Sequence, residues 1–230
     1  MAELDFYFDV VSPYAYLAWW RARQANIALT PRPVLLSALL AHWGNRGPAE
    51  IPSKRTTMVR DVMRRAANYG APLAWPPRHP FSTVAAARLV LAVTEPARRA
   101  TLVDALFAAV WVNGAAIDEA NVLQACADAA GLTATERNWA LSSEAKAGLY
   151  AANAAAIKAG VLGCLRFAML KNCCLVMIKY QWCSLNLLEL IRSMPCTLTL
   201  LPPWHGQLRW CLAVERSATL ATSSMVMQRL

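Results

Sequence analysis

A serine lies near the amino terminus, where a predicted strand gives way to a predicted helix. Residues 4–11 (LDFYFDVV) are rich in aromatic and β-branched side chains, a pattern that predicts a strand. Ser12-Pro13 follows, and because serine is a good N-cap and proline a good first helical residue, a helix is predicted over 14–24. The N–H groups and dipole of a helix N-terminus favour an anion, and a thiolate bound there has a lowered pKa. Ser12 is therefore a candidate for holding a sulfur anion, although such a serine, taken alone, is more often only a helix cap.

Basic and imidazole side chains downstream are candidates for binding an anionic substrate. Lys54 and Arg55 lie beside the Gly/Pro-rich loop 45–52, and a cation there can pair with a substrate carboxylate. The other interpretation is a solvated helix face, the usual place of such a basic run. His79 lies in the proline-rich loop 71–80 and is either a site residue or a loop histidine with satisfied hydrogen bonds.

The elements expected to position these residues are a short β-α-β opening followed by helices. A second strand is predicted over 27–35, and Pro31 and Pro33 favour a place towards a sheet edge. Helices are then predicted over 36–43, 54–69, 81–93, 96–113, 119–130 and 135–160. Because a parallel pair of strands normally belongs to a larger, covered sheet, the remaining strands are expected after residue 160.

Composition narrows the class of protein. The chain has 230 residues, of which 57% are hydrophobic and 16% charged, so a disordered chain is excluded. The first residues carry acids, so no signal peptide is expected, and charged residues interrupt the apolar stretch 161–178, which argues against a transmembrane helix. A cytoplasmic location with reduced thiols is therefore expected. The chain has no C-x-x-C pair, so no metal site is predicted, and Cys126 is expected to be buried on a helix.

Three segments resemble one family. The segment 5–18 (DFYFDVVSPYAYLA) is similar to the opening of the 2-hydroxychromene-2-carboxylate isomerases, relatives of kappa-class glutathione transferases and of bacterial disulfide oxidoreductases. The segments 42–55 (HWGNRGPAEIPSKR) and 76–81 (PPRHPF) resemble loops of the same family, and the resemblance covers about residues 4–163. In the redox relatives the first turn carries C-x-x-C. Here it reads Ser12-Pro13-Tyr14-Ala15, which excludes dithiol chemistry at this turn.

The resemblance implies an α/β fold, a thioredoxin-like domain split by an all-helical insertion, as in DsbA and the kappa-class transferases. Residues 1–36 and about 150–230 would form the thioredoxin-like domain, and residues 37–149 the helical insertion.

The resemblance also implies a glutathione-dependent isomerase that interconverts 2-hydroxychromene-2-carboxylate and trans-o-hydroxybenzylidenepyruvate, or a related intermediate of aromatic degradation. The glutathione thiolate would add to the conjugated double bond, allow rotation and be eliminated. Ser12 is the implied catalytic residue, and glutathione would be held by Ser12, Pro13 and Tyr14. The implied contacts to the aromatic carboxylate substrate are Asn45, Lys54, Arg55, Arg78 and His79. A homodimer is expected, without nucleic-acid or membrane partners.

Two other functions stay open. A kappa-like glutathione transferase would use the same Ser12 turn to conjugate glutathione to electrophiles. A non-enzymatic basic binding protein would use the net charge of +9. About half of that excess lies after residue 163, and residues 1–163 contain no recognised nucleic-acid motif.

The family pattern stops at Gly163. The family continues with Val-Pro-Thr-Phe, whose proline is cis, whereas this chain continues with CLRF at 164–167. When the third base of each possible codon is read with the first two of the next, the shifted frame allows V-P-T-F-x-x-A-E-E-L-L-F-G-Y-D-Q, the order that the family would show. The last 67 residues also hold six of the seven cysteines. We therefore hypothesise a one-base frameshift at about residue 163; the alternative is a real, divergent tail.

A frameshift has a consequence for the encoded chain. It would lack the strand with the cis-proline and the last helix of the family. Exposed strand edges and an apolar, cysteine-rich tail favour aggregation. Weak or absent activity is therefore expected of the polypeptide as written.

Overall fold

The computed structural model of the protein describes residues 4–163 and the backbone of residues 166–169. These residues belong to the first of two units of the chain, Met1–Met194; the second unit, Pro195–Leu230, lies outside the described residues.

The described sheet has three strands in the order β2-β1-β3, with β1 (Leu4–Phe8) in the centre. β2 (Leu29–Pro33) runs parallel to β1, with Leu4 beside Leu29 and Phe8 beside Pro33. Proline cannot donate a ladder hydrogen bond, and β2 lies at the edge of the described sheet, as its prolines predict. The β-α-β opening is confirmed, although both strands are shorter than predicted.

Eight α-helices occur among the described residues. They are α1 (Pro13–Gln24), α2 (Leu36–His42), α3 (Pro52–Tyr69), α4 (Val84–Ala92), α5 (Pro96–Phe107), α6 (Ala120–Ala129), α7 (Ala134–Leu141) and α8 (Ser143–Lys158). A short 3₁₀ turn, Pro48–Glu50, precedes α3, and a π-helical turn, Ala108–Val112, continues α5. The predicted loop 71–80 contains no helix or strand. Among the described residues, no helix is long and apolar enough to cross a membrane.

The helix predicted over 135–160 is in fact two helices. Ser142 has extended backbone angles (φ −75°, ψ 168°), which end α7, and its side chain caps α8. A serine side chain that accepts a backbone hydrogen bond favours a helix start over a helix interior. The alanine-rich composition of this stretch concealed that break.

One hydrophobic core joins β1 and α1 to the helices that follow. Phe6 and Phe8 of β1 are buried and stacked at 5.6 Å between ring centroids, and Phe8 lies 5.6 Å from Phe107 of α5. The indole nitrogen of Trp19 on α1 donates to Asp104 Oδ1 of α5 at 2.6 Å. The end of β1 is therefore held against the helical region.

The third strand, β3 (Arg166–Met169), pairs antiparallel with β1, with Leu4 beside Met169 and Tyr7 beside Arg166. The family pattern also places a strand after Gly163. Main-chain ladder bonds can form with many side chains, so the encoded residues can continue the sheet at this point although they differ from the family residues. The second strand and the last helix expected of the family fall outside the described residues.

Candidate active site

Ser12 lies in a tight turn between β1 and α1. Its backbone N–H donates to the Asp9 carbonyl at 3.0 Å, and its Oγ accepts from the N–H of Ala15 at 3.2 Å. The predicted N-cap and the predicted Pro13 at the first helical position are both confirmed. The residue is only 7% exposed, and the first turn of α1 contains no acidic residue. A partly shielded hydroxyl therefore stands at a helix N-terminus whose own sequence supplies no anion.

Asp9 is buried beside this turn and was not singled out from the sequence. Its Oδ1 accepts from the Val11 N–H at 3.1 Å, and its Oδ2 accepts from the Leu36 N–H at 2.8 Å. Burial raises the pKa of Asp9, although these hydrogen bonds and one with Thr83 oppose the rise. The carboxyl group therefore ties the end of β1 to the start of α2. Sequence reasoning could have found Asp9, because it is an acidic residue in a predicted apolar strand, three residues before Ser12.

Two side chains from the helical region bind the carbonyls of the turn. Trp111 Nε1 donates to the Val10 carbonyl at 2.8 Å. His79 Nε2 contacts the Val11 carbonyl at 2.9 Å, and because a carbonyl oxygen only accepts, the imidazole donates. The structure thus brings the predicted residue His79 next to Ser12, through the backbone of the residue before it.

His79 is buried, with 7% of the residue exposed. Burial lowers its pKa, the hydrogen bond to Val11 partly opposes this, and the positive charge of Arg55 lowers the pKa further. Arg55 is therefore close enough to act electrostatically on the ring.

The other predicted substrate residues differ in their surroundings. Asn45 and Lys54 are exposed. Arg78 is ion-paired with Asp118 at 3.0 Å. The charge of Arg55 acts on His79, which touches the turn.

Tyr14 is held by α3. Its hydroxyl donates to Asp61 Oδ2 at 3.1 Å, and Asp61 also accepts from Arg65 Nε at 2.7 Å. Partial burial acts to raise the pKa of Asp61. The hydrogen bond and charge of Arg65, with smaller contributions from Arg64 and Tyr14, outweigh burial and lower this pKa overall. This network fixes the second residue of α1 beside the serine.

The described part of the chain offers little support for chemistry by a cysteine of the protein or by a bound metal ion. Cys126 is buried on α6, as predicted, and burial raises the pKa of its thiol. Residues 4–163 bring together no group of three or more histidine, cysteine, aspartate or glutamate side chains that would suit a metal ion.

Comparison with known proteins identifies the family to which the chain belongs. A sequence model of the DSBA-like thioredoxin domain matches residues 3–164. The chain belongs to this family. Its α/β fold, with helices inserted into a thioredoxin-like domain, agrees with the fold predicted from the sequence.

Two relatives and one solved structure show which members of the DSBA-like family this chain resembles. The chain is 32% identical over 167 residues to a 2-hydroxychromene-2-carboxylate isomerase of Sphingobium xenophagum, which covers 70% of this chain and 85% of that protein. It is 26% identical over 180 residues to glutathione S-transferase kappa 1 of Rattus norvegicus, covering 70% and 77% respectively. A solved structure of a 2-hydroxychromene-2-carboxylate isomerase superposes with a TM-score of 0.66 at 25% identity, covering 74% of this chain and 86% of that one. The chain is thus a DSBA-like homologue of these isomerases and kappa-class transferases.

Proposed function

We propose that the chain represents a glutathione-dependent isomerase acting on 2-hydroxychromene-2-carboxylate or a related aromatic carboxylate. The observation that carries the proposal is Ser12, buried at the N-terminus of α1 in a turn without cysteine. The isomerase relative at 32% identity supports the same assignment. The proposal includes a cytoplasmic homodimer, which rests on the resemblance to the family.

The donor groups at Ser12 suit a sulfur anion. Its Oγ accepts the Ala15 N–H, which leaves the hydroxyl hydrogen to donate. The α1 dipole adds a favourable field, and no acid in its first turn neutralises that field. When bound, glutathione supplies a thiolate that adds reversibly to a conjugated double bond and so permits rotation about it.

The chain's own residues would act as donors and supports. Ser12 holds the sulfur as the anion by donating its hydroxyl hydrogen. Pro13 has no N–H and a fixed φ, so it starts the helix without adding an unsatisfied donor. Tyr14 is fixed through Asp61 and lies two positions after the serine.

A cation near the turn would bind the substrate carboxylate. Arg55 is favoured, because it is exposed and its charge acts on His79. Asn45 and Lys54 would assist from the adjoining loop and helix start. Arg78 has a weaker case, since Asp118 already neutralises its charge.

We also propose that the one-base frameshift at about residue 163 is real. The family match ends at residue 164, beside Gly163. Sequencing the gene across codons 155–195 tests this, and a missing or extra base is the expected result. An intact frame would make the tail genuine and overturn the hypothesis.

The experiment for the function compares the encoded chain with a frame-restored chain. Isomerisation of 2-hydroxychromene-2-carboxylate is followed by absorbance, with and without glutathione. The expected result is turnover by the frame-restored protein only with glutathione, and weak or no turnover by the encoded chain. Conjugation of an electrophile without isomerisation would favour the kappa-like transferase, for which the rat relative is the specific support. Activity in neither assay would overturn the enzyme assignment.

A further inference from the structure

The peptide group between Val10 and Val11 is hydrogen-bonded at both ends. Its N–H, on Val11, donates to Asp9 Oδ1 at 3.1 Å. Its carbonyl, on Val10, accepts from Trp111 Nε1 at 2.8 Å. A peptide plane held in this way cannot rotate without breaking a hydrogen bond in a buried environment.

The next peptide group, between Val11 and Ser12, is held in the same manner. The Ser12 N–H donates to the Asp9 carbonyl at 3.0 Å. The Val11 carbonyl accepts from His79 Nε2 at 2.9 Å. Rotation of this plane by half a turn would point the Val11 carbonyl oxygen at the Asp9 carbonyl oxygen and break both hydrogen bonds, and it would displace Ser12. The His79 contact opposes that rotation.

The hydrogen bond defines the tautomer of His79. Because Nε2 donates, the neutral ring carries its lone pair on Nδ1. Nδ1 is buried and has no hydrogen-bond partner among the described residues. A second proton on the ring would bury an unpaired N–H and place two positive charges, His79 and Arg55, near each other. The neutral donor form is therefore the one that the surroundings select.

Aromatic side chains enclose the imidazole. The rings of Trp75, Phe81 and Trp111 lie 5.7, 5.9 and 5.6 Å from it, all near edge-on geometry. Trp111 is itself the donor to the preceding carbonyl. The ring orientation of His79 is thus restrained by the same side chain that restrains the other peptide plane.

We propose that His79 is a positioning residue for Ser12, acting through the Val11 carbonyl rather than by contact with substrate. The neutral imidazole holds the peptide plane that leads into Ser12, and so keeps the Ser12 side chain at the helix N-terminus, where a sulfur anion would bind. The proposal rests on the proposed function for the identity of that anion, but its test does not need glutathione.

A thiol introduced at position 12 reports directly on the site. Ser12→Cys is made in the full chain, and alkylation by iodoacetamide is followed against pH by mass spectrometry of tryptic peptide 1–21, which has no native cysteine. The expected midpoint lies below about 8.5, the ordinary cysteine value. His79→Leu in this background is expected to raise the midpoint by about one unit, which lowers the alkylation rate about tenfold at a pH well below both midpoints. Since His79 is neutral, the substitution changes no charge, and the shift reports geometry.

Two matched variants separate positioning from general packing. His79→Gln retains an amide N–H that can donate to the Val11 carbonyl, so it is expected to restore the low midpoint. Trp75→Phe keeps the aromatic wall and removes no hydrogen bond to the turn, so no shift is expected. Equal midpoints for His79→Leu and His79→Gln, or a shift in Trp75→Phe as large as in His79→Leu, would overturn the proposal.

A measurement on the unsubstituted His79 ring tests the proposal even if a His79 variant fails to fold. ¹⁵N NMR of the full chain, with His42→Gln and His205→Gln introduced so that the remaining imidazole signals belong to His79, identifies the protonated nitrogen. Protonation on Nε2 alone through neutral pH is expected. A proton on Nδ1 would remove the proposed hydrogen bond and overturn the role. Lack of glutathione-dependent turnover by the frame-restored protein, together with a low thiol midpoint, would instead count against the proposed function and leave the positioning role supported.

Discussion

Two helices of this protein begin with the same serine cap, yet only one forms a candidate site. Ser12 accepts from the N–H of Ala15 at 3.2 Å, and Ser142 accepts from the N–H of Ala145 at 3.1 Å. The two caps share the residue type, the spacing and the kind of hydrogen bond. Cap chemistry alone therefore does not make a site, and the difference lies in the surroundings.

The two helix starts differ in whether their first turn contains an acidic residue. Glu144 stands in the first turn of α8, and hydrogen bonds from the backbone and from Ser142 lower its pKa. The first turn of α1 has no acidic residue, so its N-terminal field is left for a bound anion. Ser12 is also more buried than Ser142, and its turn is held by Asp9, whereas Ser142 only joins two helices.

The strongest way to break this comparison is to remove each serine in turn. In the frame-restored protein, Ser12→Ala is expected to lower kcat/KM about 100- to 1,000-fold, as for loss of one donor to a developing or bound anion. Ser142→Ala is the matched control and should cost only the cap, about 1 kcal/mol of stability, with turnover unchanged. Steady-state kinetics and thermal unfolding of both variants measure the two effects. Equal activities would show that the Ser12 hydroxyl has no catalytic part.

A second test sharpens the comparison on the substrate side. Arg55→Gln is expected to raise KM for the carboxylate substrate about tenfold or more, because a charge-assisted hydrogen bond is lost. Arg78→Gln is the control, since Asp118 already pairs with that guanidinium, and a change below about twofold is expected. The reverse order of the two KM values would assign the carboxylate to Arg78.

A third test concerns the buried acid that only the Ser12 turn has. In Asp9→Asn, one carboxylate oxygen becomes an NH₂ group facing a backbone N–H, and a buried donor is left unsatisfied. A loss of about 1–3 kcal/mol in unfolding free energy is expected from denaturant titration. Glu144→Gln, exposed at the start of α8, is the control and should change stability much less. A neutral outcome for Asp9→Asn would mean that the turn is not held by this carboxylate.

The smallest expected effect is a pH dependence that also belongs to the Ser12 turn. The pKa of His79 is lowered in the folded protein from its ordinary 6.5, so the unfolded chain takes up a proton first as the pH falls. Its contribution to stability is therefore present above pH 6.5 and is lost as the pH falls through the folded pKa, at up to about 1.4 kcal/mol per unit. His79→Gln should remove this part of the slope. Denaturant titrations between mildly acidic and neutral pH measure it, and an unchanged slope would contradict the buried neutral ring.

Local patterns predicted much of the fold. The Ser12-Pro13 helix start, the edge position of β2 and the end of α3 at Gly70, whose φ is +63°, each depend on the residues themselves. The break at Ser142 was missed because the alanine-rich flanks favour helix on both sides. The predicted helix cap at Ser12 was confirmed, while the predicted site and the roles of its residues stay predictions.

What the sequence by itself determined was the cap, the absence of cysteine at the turn and the helical content, because these depend on neighbours a few residues apart. Only the tertiary structure decided that His79 and Trp111 hold the turn, since they lie 68 and 101 residues from the carbonyls that they bind. The same holds for the choice between Arg55 and Arg78, which are alike in sequence. One acts on His79 and the other pairs with Asp118, because packing of the helices places their charges in different surroundings.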